Sequence, residues 1–196
     1  RRDPQATVVV YPSDHFIFPE PRFLDTVRRA IAAVEALPDR MLLLGVRPDR
    51  SETEYGWIEC GPVLAGSPAH PVRAVSAFIE KPSAVRADSA FRSGALWNTL
   101  VLVAKAEALW RAGQACFPGM MPLFDRLASA WDGRDERAAV EAAYREMPAY
   151  NFSAHLLQRA ATRVAVMELT GVLWSDWGKP ERIVETIRRI GKTPAF

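Results

Sequence analysis

The sequence is poor in the residues that announce most kinds of site. It has two cysteines, Cys60 and Cys116, far apart and in no Cys-x-x-Cys or Cys/His spacing, which speaks against a disulfide scaffold or a zinc centre. A reducing cytoplasm is the expected compartment. The histidines, His15, His70 and His155, are scattered, and the chain has no His-Glu-x-x-His, no Gly-x-Ser-x-Gly and no glycine-rich phosphate loop. Long apolar runs are missing too. None reaches the roughly 20 residues of a membrane span, and the opening Arg1-Arg2-Asp3-Pro4 lacks the apolar stretch of a signal peptide. Nor is there an excess of one charge: the net value is +2 with acids and bases interleaved, so nucleic acid is not an expected partner. What remains is an ordinary globular composition, 49% hydrophobic and 24% charged over 196 residues, enough for one sizeable core or two small ones.

The chain is organised around Val8-Val9-Val10-Tyr11-Pro12-Ser13-Asp14-His15. Three β-branched residues predict a strand, the continuous apolar run suits one covered on both faces, and Pro12 ends it. Asp14 then lies just past a carboxyl end, where open α/β sheets collect ligands. An acid there can hold Mg²⁺ against a phosphate, or it can serve as a turn or helix cap. Because the chain begins almost at once on this core strand, we expect a fragment that is truncated at its N-terminus.

After Pro19-Glu20-Pro21, the apolar residues Phe23, Val27, Ile31, Val34 and Leu37 recur at helical spacing, and Met41-Leu42-Leu43-Leu44-Gly45-Val46 is a second solid strand. Strand, helix and strand within some 40 residues predict a βαβ crossover and a partly parallel sheet. Residues 47–54 form a loop. Tyr55 to Cys60 and Ala74 to Glu80 are predicted strands joined by a connection holding Pro68 and Pro71. Ser83 to Arg92 reads as a capped helix, Leu96 to Val103 as a strand, and 104–158 as a helical insertion with core aromatics. Arg163 to Leu169 is a further strand, and Pro180 opens a helix whose Ile183, Ile187 and Ile190 share a face.

Three polar features interrupt this pattern. Glu80-Lys81-Pro82 puts an acid and a base at a strand end, fit for a sugar hydroxyl and a phosphate, or simply a solvated terminus. Asn98 stands in an apolar strand, satisfied by backbone or reaching into a pocket. Asp176, in Ser175-Asp176-Trp177-Gly178, is a second carboxylate after an apolar run. Two acids on one sheet edge can share a divalent cation. As two clustered like charges, they are expected to repel, so that Asp176→Asn would leave the fold stable.

Pro12-Ser13-Asp14-His15, Glu52-Thr53-Glu54-Tyr55-Gly56-Trp57-Ile58-Glu59, Phe78-Ile79-Glu80-Lys81-Pro82, Trp97-Asn98 and Trp174-Ser175-Asp176-Trp177-Gly178, in that order, resemble the sugar-phosphate nucleotidyltransferases, most of all the mannose-1-phosphate guanylyltransferase branch. The resemblance implies a single partial domain over 1–196, α/β and Rossmann-like, with a mixed, mostly parallel sheet flanked by helices. It implies an enzyme that joins a nucleoside triphosphate, such as GTP, to a sugar 1-phosphate, giving an NDP-sugar such as GDP-mannose and pyrophosphate. Asp14 and Asp176 would be Mg²⁺ ligands and, with Lys81, the catalytic set. Lys81 would meet the sugar phosphate, and Tyr55, Gly56, Glu80 and Asn98 would complete substrate binding. The chain departs from the pattern in three ways. The family's glycine-rich nucleotide loop is not among its residues, so little activity is expected of it alone, and a missing cover over its first strand would favour self-association. Glu54 and Leu100 stand where the family's Glu-Thr-Gly-Tyr-Gly and Trp-Asn-Ser-Gly carry glycine. The rival expectation is a non-catalytic homologue that keeps the fold as a subunit or interaction module.

Overall fold

The computed structural model describes residues 3–193. Met41–Val46 (β3) is buried along its whole length. Its alternate side chains serve two cores: Leu42 and Leu44 pack with Val27, Ala30 and Val34 of helix Glu20–Ala36 (α1). Met41 and Leu43 pack with Ala112, Phe117, Leu156 and Leu157 on the opposite face. A strand covered on both faces needs no polar alternation, which accounts for the solid apolar run. Thr7–Val10 (β1) departs from the same expectation. It is half-buried, and Val10 is 44% exposed, because among the described residues β1 pairs only with Leu96–Lys105 (β6) and forms the sheet's edge.

The main sheet has the order β1-β6-β3-β7-β5-β4, in which β4 is Trp57–Ser67, β5 is His70–Ile79 and β7 is Val164–Glu168. It is mixed and flanked by helices, as the α/β class requires, but its neighbouring pairs are mainly antiparallel. Strands β1, β3, β4 and β7 do point one way; β5 and β6 run against them and interleave, which leaves β3–β7 as the parallel pair. The β1–α1–β3 unit is thus split by β6. The first residues of β6 also pair with β4, Trp97 opposite Trp57, so that β6, β3, β7, β5 and β4 close into a ring.

The connection expected around Pro68 and Pro71 is instead a long hairpin, paired out to Ser67 opposite His70. Its prolines are tolerated because they fall at the turn, where Pro71 faces Gly66 and register shifts already loosen the ladder. Two strands too short to read by periodicity, Phe16–Phe18 (β2) and Leu173–Ser175 (β8), pair antiparallel in a separate sheet with Phe16 opposite Ser175.

Between β6 and β7 lie Ala106–Cys116 (α3), Met121–Ala130 (α4), Glu136–Glu146 (α5) and a π-helical turn at Ser153–Leu157. The helical stretch is as expected, but its aromatics are only partly core. Trp110 meets Phe124 and Phe117 meets Tyr150, whereas Trp131 and Tyr144 are 58% and 74% exposed. Ala84–Arg92 (α2) starts at Ser83, whose hydroxyl accepts the Arg86 N–H. Pro180–Arg189 (α6) carries its proline in the first turn, yet its buried residues are Arg182 and Thr186 rather than the isoleucine stripe.

Candidate active site

Asp14 lies in the link between β1 and β2, and Asp176 directly follows β8. Extending the β2–β8 register by one residue from the Phe16–Ser175 pair sets His15 opposite Asp176. Both carboxylates act electrostatically on the His15 ring. Both acids therefore lie within electrostatic reach of His15, at the end of the small sheet and not along an edge of the large one. The reason is local: residues 169–172 separate β7 from β8, and the freed strand pairs with β2. Burial depresses the His15 pKa, against the two acids and a backbone hydrogen bond with Thr99, which favour the charged ring. Its Nδ1 faces the Trp174 indole N–H at 3.3 Å.

The two acids differ in their surroundings. Asp14 is exposed and makes no hydrogen bond among the described residues. Asp176 is built in: its Oδ1 accepts from the Tyr55 hydroxyl (3.1 Å), the Gly178 N–H (3.2 Å) and Arg182 (2.9 Å), and its Oδ2 accepts from Arg182 (2.8 Å). Arg182 continues to Glu54 at 2.5 Å and Glu52 at 3.3 Å, and its guanidinium lies 4.5 Å from the centre of the Tyr55 ring. Lys179 holds the other oxygen of Glu54 at 2.6 Å. Burial works against the Arg182 charge, but Tyr55, Asp176 and Glu52 outweigh it and the pKa is raised. Burial, and then the Asp176 carboxylate, raise the Tyr55 phenol well above its usual range, which keeps it a donor. This cluster argues against the expectation that Asp176→Asn would leave the fold stable: Asp176 is the anion around which the first turn of α6 is tied. Gly178 gives Asp176 room, since a Cβ there would sit 3.0 Å from Asp176 Oδ2.

The second group gathers at the start of β6 and the end of β5. Asn98 N–H donates to the Gly56 carbonyl at 2.8 Å, and a Cβ on Gly56 would lie 3.0 Å from Glu80 Oε2. Burial raises the Glu80 pKa, against Lys81 and against hydrogen bonds from the side chains of Asn151 and Ser153. The Glu80 N–H donates to Gln158 Oε1 at 3.2 Å. Lys81 is exposed and has left-handed backbone at φ 44°, strain of a kind that collects at functional sites. Asn98 is 8% exposed, and its Oδ1 accepts the Leu100 N–H at 3.0 Å, so part of this amide is satisfied by backbone. It stabilises a bulge. The β3–β6 register jumps from Leu43–Leu102 to Gly45–Asn98, and Leu100, at φ 58°, occupies a conformation that suits glycine.

Aromatic side chains join the two groups. The Tyr55 ring lies 5.0 Å from Trp97 and 5.1 Å from Trp174, and the buried Trp97 indole N–H has no acceptor among the described residues. Asp14, Asp176, Tyr55, Gly56, Glu80, Lys81 and Asn98 thus fall in two neighbouring clusters. Reading the sequence missed Arg182, Asn151, Ser153 and Gln158. Arg182 had at most a faint signal, a cation in a first helical turn, where acids are the usual choice; the other three lie around a π-turn that has no sequence period.

A divalent cation fits the acidic cluster by donor chemistry. Asp14 and Asp176 both lie within electrostatic reach of His15, Asp14 makes no hydrogen bond among the described residues, and Mg²⁺ is commonly held by one or two carboxylates plus substrate phosphates. Among the described residues no group of three or more His, Cys, Asp or Glu is arranged to hold a metal by itself, so substrate oxygens and water would complete the shell.

The profile of the nucleotidyl transferase family matches residues 1–193. The chain is 29% identical over 182 residues to mannose-1-phosphate guanylyltransferase of Escherichia coli (strain K12), covering 91% of this chain and 37% of that protein. It is 27% identical over 190 residues to the xanthan biosynthesis protein XanB of Xanthomonas campestris pv. campestris (strain B100), covering 94% and 38%. It therefore spans less than two fifths of the length of these curated relatives. A crystal structure described as mannose-1-phosphate geranyltransferase from Thermus thermophilus shares the fold, with a TM-score of 0.78 at 24% identity over 92% of this chain and 49% of that one. With a match that runs nearly from end to end, the chain belongs to the nucleotidyl transferase family.

Proposed function

We propose that this protein serves the transfer of a nucleotidyl group from a nucleoside triphosphate, GTP in our reading, to a sugar 1-phosphate such as mannose 1-phosphate. The observation that carries the proposal is that Asp14 and Asp176 both act on His15, beside the Gly56–Glu80–Asn98 cluster, with the exposed Lys81 next to Glu80. In the reaction an oxygen of the sugar phosphate attacks the α-phosphorus, the bond to the β-phosphate oxygen breaks and pyrophosphate leaves. Such a displacement needs positioning and charge neutralisation rather than a protein nucleophile. Lys81 offers a cation to the sugar phosphate. Glu80 accepts hydrogen bonds from sugar hydroxyls, and Gly56 leaves room for the ring. Tyr55 and Arg182 hold Asp176 in place. Asp14 and Asp176 would hold Mg²⁺, which supplies positive charge against phosphate oxygens. The cytoplasm, where nucleoside triphosphates abound, is the compartment this chemistry needs.

The test is pyrophosphate release from GTP and mannose 1-phosphate with Mg²⁺, alongside direct binding of each substrate. We expect the 196 residues to bind the sugar phosphate and to turn over slowly, since they contain no glycine-rich loop for the triphosphate. Absence of sugar-phosphate binding in the presence of Mg²⁺ would defeat the proposal. One observation favours the rival reading of a non-catalytic subunit: Arg182 occupies both oxygens of Asp176. Under that reading Mg²⁺ has no effect on binding. The edge of β1 left unpaired among the described residues, with Val10 and Tyr11 exposed, supports concentration-dependent self-association, which sedimentation measures directly.

A further inference from the structure

We propose that Arg182 is a movable counter-ion of Asp176: a divalent cation takes Asp176 Oδ2 from it, and the guanidinium falls back on Glu52 and Glu54, which act as positioning residues for that exchange. The inference rests on the metal reading of the acidic cluster and says how a carboxylate already held by an arginine can still serve a metal. The two ends of the guanidinium have separate partners. Among the described residues Nη1 donates to Asp176 alone, at 2.9 Å to Oδ1 and 2.8 Å to Oδ2. Nη2 donates to Glu54 Oε2 at 2.5 Å and to Glu52 Oε2 at 3.3 Å. Withdrawing Nη1 from Asp176 therefore leaves the arginine paired through Nη2, with its face still 4.5 Å from the centre of the Tyr55 ring.

The oxygens of Asp176 divide in the same way. Oδ1 also accepts from the Tyr55 hydroxyl and the Gly178 N–H, so the carboxylate keeps its aim when the arginine leaves. Oδ2 has Arg182 Nη1 as its one donor among the described residues. A Cβ on Gly178 would come within 3.0 Å of Oδ2 and 3.6 Å of Nη1, so the bond that has to open borders on space that a side chain would fill. The receiving side is built in advance. The Glu52 carbonyl accepts the Trp57 indole N–H at 2.8 Å, Glu52 Oε1 accepts the Glu54 N–H at 3.1 Å, and Lys179 holds the other oxygen of Glu54 at 2.6 Å. A singly charged guanidinium shared among three carboxylates yields one of them to a doubly charged cation readily, because two remain.

The test is a thermodynamic cycle on the affinity for Mn²⁺, which takes the same oxygen ligands as Mg²⁺ and is read by electron paramagnetic resonance, with and without mannose 1-phosphate. Arg182→Gln removes the competitor and should tighten Mn²⁺ by about tenfold, the strength of a hydrogen bond between charged groups. Glu54→Gln removes an acceptor on the receiving side and should weaken Mn²⁺ several-fold. In the Arg182→Gln background the same Glu54→Gln change should have no effect, because Glu54 acts through the arginine. An equal loss in both backgrounds would mean that Glu54 works by its own charge, and would overturn the inference. A second readout needs neither a variant nor turnover: in wild type, Mg²⁺ should shift the Arg182 guanidinium resonances in NMR spectra while those of Arg29, paired with Asp25 on α1, stay in place. Arg182 resonances unmoved at saturating metal would overturn the inference even where Arg182→Gln fails to fold. Metal binding with an unresponsive Arg182 defeats this inference alone, whereas a wild type that binds no Mn²⁺ under either condition defeats the metal reading and the inference with it.

Discussion

Asp14 and Asp176 are the same residue type, both follow apolar strands and both act on His15, yet the fold treats them in opposite ways. Asp14 is exposed and makes no hydrogen bond among the described residues, in the link between β1 and β2. Asp176 is the counter-ion of a buried arginine and also accepts from a phenol and a backbone N–H. A carboxylate left free is available to a cation without cost to the fold; one that ties a helix to a loop is held in place because the fold depends on it. The comparison predicts that function and stability separate at Asp14 and are bound together at Asp176.

The largest effect is expected for Arg182→Ala. It leaves Asp176, Glu52 and Glu54 close together with no shared cation, and breaking a buried ion pair from one side costs about 3–5 kcal/mol; the partial exposure of Glu54 places this case at the lower end. A thermal midpoint within a degree or two of wild type would remove the physical basis of the comparison. Asp176→Asn comes next, at about 2 kcal/mol, because an amide nitrogen would face the guanidinium. Asp14→Asn should lie within about 0.5 kcal/mol of wild type. Equal midpoints for these two variants would break the comparison.

Glu80→Gln sharpens it from the other cluster. Burial raises the Glu80 pKa, so the folded state binds this proton more tightly than the unfolded chain. Stability from this group is accordingly present below the ordinary carboxylate range and lost as pH rises from there through the raised value. Removing the charge should make the ligand-free protein more stable at pH 7 by up to about 1 kcal/mol, flatten that acid-side slope and abolish sugar binding. A slope unchanged in urea titrations at several pH values would contradict this. The smallest effect concerns Leu100 at φ 58°. Leu100→Gly should be more stable than Leu100→Ala by about 1 kcal/mol, since both lose the side chain and only glycine relieves the backbone. The reverse order would mean that the bulge is not strained.

Much of this site could be read in the sequence because its acids and its Glu-Lys pair sit where apolar runs stop, and strand ends are the best-punctuated places in a chain. Tyr55 and Gly56 were legible only through their motif, whereas Asn98 stood out as an amide in an apolar strand. The direction of β5 and β6 was not, because a solid apolar run looks the same in either direction; the ladder partners decide it. The β2–β8 sheet, which brings Asp14 and Asp176 together, is three residues a side and below any period. Arg182 was hidden by an isoleucine stripe that looked like the buried face, while the ion cluster drew the arginine inward instead.

The most direct test of the account is calorimetric titration of mannose 1-phosphate, with and without Mg²⁺, into wild type and Asp14→Asn. The account predicts Mg²⁺-dependent binding in the wild type, and in Asp14→Asn a loss of that dependence of about tenfold or more with the thermal midpoint unchanged. Full Mg²⁺-dependent affinity in a folded Asp14→Asn protein would contradict the claim that the two acids form one site.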